Sequence, residues 1–130
     1  MTTFNKEDYF MNNKVFDLEE RLVSVEGDII LFCKKLPNDL CGEYDANQLL
    51  RSAGSSTLNF GEAQGAQTVK DKIFKLSLSL KELKESRVSL KMLNMLQFEN
   101  AGERDSLLNE VEQLIKIIAT IKKNKRQSIQ

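Results

Sequence analysis

The sequence has no histidine and no tryptophan, and it has only one proline, two cysteines and six glycines. Without histidine there is no Ser-His-Asp or Cys-His nucleophile, no imidazole metal ligand and not the usual acid/base group near neutral pH. One proline and few glycines supply too little turn material for a many-stranded sandwich or barrel. Cys33 and Cys41 are too few for a disulfide scaffold, and a bond between them is disfavoured in a reducing compartment. No apolar run approaches the ~20 residues of a membrane span, and the leading MTTFNKEDYF has no apolar signal core. Phosphate-loop, dinucleotide and nucleophile-elbow patterns are missing as well. These absences predict a non-catalytic cytoplasmic protein with no cofactor, no bound metal and no membrane partner.

What is present is globular in composition. The chain has 130 residues, of which 41% are hydrophobic and 29% charged, enough for one buried core. The formal net charge is zero, but the charge is unevenly placed. Residues 1–65 hold 6 basic and 11 acidic side chains, and residues 66–130 hold 13 basic and 8 acidic. From Gln113 onward there are Lys116, Lys122, Lys123, Lys125 and Arg126 and no acid. An acidic first half and a basic tail suit head-to-tail contacts or a weak anion contact. The alternative is that the cations complement the dipole of a last helix.

Four segments keep helical spacing. In 14–36, Val15, Leu18, Leu22, Val25, Ile29, Phe32 and Leu36 advance by threes and fours. Phe16, Val23, Ile30 and Cys33 form a second apolar line beside them. Asn12 or Asn13 can cap the start. Pro37 stops the helix, and LPNDLCGEY, with Cys41, reads as a connection. In 44–63, Ala46, Leu49, Leu50, Ala53, Thr57, Leu58 and Phe60 are the apolar face. The run from Ser52 to Thr57 is unusually small, which predicts either a close helix approach or a loop. In 67–96, Val69, Ile73, Leu76, Leu80 and Leu83 form a seam widened by Phe74, Leu78, Val88, Leu90, Leu93 and Leu96. Thr68 or Gln67 begins this segment, and Asn100 and Gly102 end it. KLSLSLKEL alternates like a strand, but its flanks keep the helical period. In 103–125, Leu107, Leu108, Val111, Leu114, Ile115, Ile118 and Ile121 form a broad face, with acids early and lysines late.

Four amphipathic helices with short joins predict an all-α, antiparallel up-down-up-down four-helix bundle in a single domain. The extra apolar rows on the first and third segments exceed what one bundle buries. Exposed apolar area of that kind marks association, so a homo-oligomer is expected.

The stretch LLRSAGSSTLNFGEAQG, between Leu36-Pro37 and FKLSLSLKELKES, resembles the 23S ribosomal RNA intervening-sequence protein family, also described as four-helix-bundle proteins. An Arg-x-Ala-x-Ser stretch followed by Asn-Ile-x-Glu-Gly is matched by Arg51, Ala53, Ser55, Asn59 and Glu62. Phe60 replaces the Ile and Ala63 the Gly. Phe74, Leu76, Ser79, Leu80 and Glu82 resemble a stretch in the family's third helix. The likeness spans roughly Asp17 to Lys123. It implies a four-helix bundle that assembles into a ring, typically a pentamer, with no assigned enzymatic activity. A related branch is similar to the accessory variability protein of diversity-generating retroelements, a strongly basic ring that binds nucleic acid. This chain departs from that branch in its zero net charge.

Arg51, Asn59 and Glu62 are the polar residues singled out. They suit a buried network that fixes helix register, or a ligand site. Arg51 and Glu62 lie three turns apart, each able to meet a neighbouring helix or subunit. Glu82 and Glu85 share a face. Bundle metal sites pair such carboxylates with Glu-x-x-His, so without histidine they read as a solvated face. Lys122, Lys123, Lys125 and Arg126 are the candidate contacts to the phosphates of RNA or DNA, salt-sensitive and sequence-indifferent. No aromatic residue interleaves them for base stacking.

Overall fold

The computed structural model describes the backbone of residues 14–95 and 101–129, with side chains from Leu18 onward. Among these residues the secondary structure is helical only: α1 Lys14–Cys33, α2 Leu40–Gln64, α3 Val69–Met95 and α4 Ala101–Gln127. Each helix packs on its neighbours in sequence, and α1 closes on α4, while the diagonal pairs do not meet. The short turns at 34–39 and 65–68 reverse the chain. The result is an up-down-up-down bundle around one core.

The three-and-four rows are the core. Leu18, Leu22, Val25, Ile29 and Phe32 of α1 face Leu49, Ala53, Phe60 and Ala63 of α2. Leu76, Leu80, Leu83, Leu90 and Leu93 of α3 and Leu107, Val111, Leu114, Ile115 and Ile118 of α4 complete it. KLSLSLKEL is helix, and the small run of α2 is helix as well.

Several boundaries differ from the sequence reading. α1 ends at Cys33, because Lys35 N–H donates to Phe32 O (3.0 Å) and Leu36 N–H to Cys33 O (3.2 Å), tightening the chain before Pro37. α2 begins at Leu40, so Cys41 lies in its first turn and not in a loop. Asp39 caps that turn by accepting from Gly42 N–H at 2.8 Å. Gly42 is required there, since a Cβ would run into the Pro37 carbonyl oxygen and lie 2.9 Å from its carbon. Thr68 caps α3, accepting from Asp71 N–H at 3.1 Å. Gly102 does not end α3 but sits in the first turn of α4. Asn12, Asn13, Leu96 and Asn100 lie outside the described residues, as do the side chains of Val15 and Phe16. Leu58 is 70% exposed and Val69 is exposed, so neither joins the core. Cys33 is buried as a small hydrophobe, and burial pushes its thiol up to about 11.

Candidate functional site

The seam between α2 and α3 is built from small side chains. Ser52, Ser56, Ser79 and Ser86 are all buried. The Ser56 hydroxyl donates to Ser79 O at 2.9 Å, and the Ser79 hydroxyl donates back to Ser56 O at 2.9 Å. The Ser52 and Ser86 hydroxyls lie 2.7 Å apart. This pair of rungs is the buried polar network that fixes the register of α2 on α3. The sequence reading assigned that role to Arg51, Asn59 and Glu62. The signal was present in the spacings, four residues from Ser52 to Ser56 and seven from Ser79 to Ser86, which place each pair on one helix face.

Arg51 lies outside this seam and is exposed. Its guanidinium donates to Glu85 at 2.7 Å and to Glu82 at 3.3 Å on α3. The hydrogen bond from Arg51, foremost among the causes, holds the Glu85 carboxyl below its ordinary range. Glu82 and Glu85 therefore share a cation instead of facing water alone. Glu62 pairs with Lys75 at 2.6 Å, and so also reaches α3. Asn59 neither caps an end nor crosses the bundle: its amide donates to Ser55 O of the preceding turn at 2.8 Å and to the Ser55 hydroxyl at 3.2 Å. Ala53 is in the core. Thus Arg51, Glu62, Glu82 and Glu85 fasten α2 to α3 from outside, while Ser55 and Asn59 form a separate pair within α2.

Two surfaces remain unused by the bundle. The first is apolar. On α1, Val23 (51% exposed) and Ile30 face outward, and on α3 Phe74 (59%), Val88 and Met92 do the same. Glu20 and Asp28 are exposed on α1, and Lys70 and Lys81 are exposed on α3. The second is cationic and lies between α3 and the end of α4. A cavity of about 350 Å³ is lined there by Leu80, Ala119, Lys122, Lys123, Arg126 and Gln127. Lys122, Lys123 and Arg126 thus come together; Lys125 is not among the lining residues. Lys84 of α3, which lines an adjoining depression together with Leu80 and Lys122, was not foreseen. The described residues include no group of three or more His, Cys, Asp or Glu side chains able to hold a metal ion. None of their helices is long and apolar enough to cross a membrane.

The family model described as 23S rRNA-intervening sequence protein matches residues 11–120. A crystal structure from Bacteroides thetaiotaomicron, described as a protein with unknown function from the S23 ribosomal protein family, is similar to this chain. The two share 27% identity with a TM-score of 0.76, over 82% of this chain and 98% of that one. No curated protein matches.

Proposed function

The chain belongs to the 23S rRNA-intervening sequence protein family, and we propose that it acts as a non-catalytic, self-assembling bundle in the cytoplasm whose copies meet head to tail. One observation carries this reading: each of two different helices keeps an outward apolar row after the core is full. Val23 and Ile30 sit on α1 among the acids Glu20 and Asp28, whereas Phe74, Val88 and Met92 sit on α3 with Lys70 and Lys81. The two helices carry opposite net charge, α1 acidic and α3 basic, and both keep an outward apolar row, so α1 of one copy suits α3 of the next. A contact between two unlike faces repeats around a ring where its rotation closes. The family resemblance suggests five copies for that ring.

The catalytic side of the reading rests on the chemistry available. The sequence has no histidine. Cys33, the buried thiol, has its ionisation pushed up to about 11, which keeps it protonated and unreactive at neutral pH.

Sedimentation equilibrium tests the assembly. Five copies of 14.9 kDa give a particle of about 75 kDa. Phe74→Glu places a charge in the apolar contact and lowers the mass to that of smaller species. A wild-type mass of one chain at micromolar concentration overturns the proposal.

A further inference from the structure

We propose that the groove between α3 and the C-terminal half of α4 binds the phosphodiester backbone of a nucleic acid strand without reading its bases. The groove has an apolar floor, Leu80 and Ala119, and a rim of Lys122, Lys123 and Arg126. Through Leu80 and Lys122 it continues into a larger depression of about 700 Å³, which adds Lys84 and Arg87. The one acid that lines either depression is Glu85, and Arg51 already occupies it at 2.7 Å. Lys84, Lys122, Lys123 and Arg126 have no carboxylate partner among the described residues. The site is therefore a cationic cleft with nothing inside it to balance the charge.

Helix-dipole compensation does not explain this arrangement. It accounts for cations in the last turn of α4, where Lys125 and Arg126 lie. It does not account for Lys84, which comes from the middle of α3 and meets Lys122 across the groove. The Lys122 ammonium is held below its ordinary range, chiefly by loss of hydration and then by the nearby charges of Arg126 and Lys84. An anion placed between these three groups relieves that repulsion.

The shape selects a chain of phosphates over a single one. Lys122 and Arg126 are one helical turn apart, roughly 6 Å, so the cations run along a line. No helix N-terminus or cluster of backbone N–H groups closes around one point, as a compact phosphate site requires. No aromatic side chain lines the groove, so bases find no stacking platform and recognition stays with the backbone. The larger depression borders the α3 face of the proposed contact between copies, sharing Lys81 and Val88 with it, but Lys84, Lys122, Lys123 and Arg126 are not among the residues of that contact.

Fluorescence anisotropy with labelled poly(dT) and poly(dA) tests the proposal. Both probes are expected to bind at low salt with affinities within a few fold of each other. Engagement of three phosphates by Lys84, Lys122 and Arg126 gives a slope of roughly −2 for log affinity against log salt on single strands. Lys84→Gln and Arg126→Gln each reduce that slope by about 0.7. Lys34→Gln, a cation at the opposite end of the bundle, leaves it unchanged. Sedimentation of Lys84→Gln is expected to give the wild-type mass, which separates failure of this site from failure of assembly. Three results overturn the proposal: no binding at low salt, wild-type binding by both groove variants, or polyglutamate competing as well as the oligonucleotides. The last would assign the cleft to an acidic protein surface.

Discussion

Replacing Ser56 separates the two things a buried serine does on this seam. Its hydroxyl makes a hydrogen bond to Ser79 O at 2.9 Å, and its small volume lets α2 approach α3. Ser56→Ala removes the hydroxyl and keeps the volume. The net value of such a bond is about 1 kcal/mol, and the Ser79 carbonyl, within α3, still has its helical N–H partner. The reciprocal bond from the Ser79 hydroxyl ends on the Ser56 backbone and survives the change. The expected loss is therefore about 1 kcal/mol. Ser56→Val removes the same bond and adds volume on the fully buried seam between the helices. Overpacking costs about 1–3 kcal/mol, so the total is roughly 2–4 kcal/mol. Urea denaturation followed by far-ultraviolet circular dichroism measures both, at one fixed protomer concentration because assembly shifts apparent stability. If Ser56→Val were within about 0.5 kcal/mol of Ser56→Ala, the close approach would not be what selects serine here.

Three further outcomes are expected. Gly42→Ala forces a Cβ into the Pro37 carbonyl and lowers stability by about 1–3 kcal/mol, read as a fall in the thermal midpoint; an unchanged midpoint refutes the tight turn. Burial raises the Cys33 thiol from 9.0 to about 11, so its stabilising contribution is complete below pH 9.0 and is lost as pH rises through about 11. Denaturation curves of wild type and Cys33→Ala should therefore converge over that interval. Arg51→Gln removes an exposed ion pair with Glu82 and Glu85, and its denaturation midpoint at neutral pH should move far less than that of Ser56→Val.

The architecture was legible because all four segments carry a long helical period. Leu18, Leu22, Val25, Ile29 and Phe32 are as regular in the sequence as they are buried in the bundle. Boundaries were less legible where local hydrogen bonds decide them. Asp39 draws the start of α2 back to Leu40 by capping Gly42, a signal hidden inside what reads as a loop. The polar network was misplaced because charged and amide side chains attract attention as register devices. Serines in a helix more often back-bond locally, and only the packing of α2 on α3 shows that these four meet across a seam. The cationic groove was half legible. Lys122, Lys123 and Arg126 stand out as a run near the chain's end, but Lys84 lies far away in sequence among alternating charges. Only the antiparallel packing of α3 and α4 brings it to Lys122.

Mixing two deficient variants tests head-to-tail assembly most directly. Phe74→Glu spoils the α3 face and keeps α1 intact; Val23→Glu combined with Ile30→Glu spoils the α1 face and keeps α3 intact. Each alone should sediment as a single chain, and an equimolar mixture should give a 1:1 heterodimer of about 30 kDa from two 14.9 kDa chains, with no larger ring. Two monomers that ignore each other in the mixture, or a full-sized assembly from either variant alone, would contradict the pairing of α1 with α3.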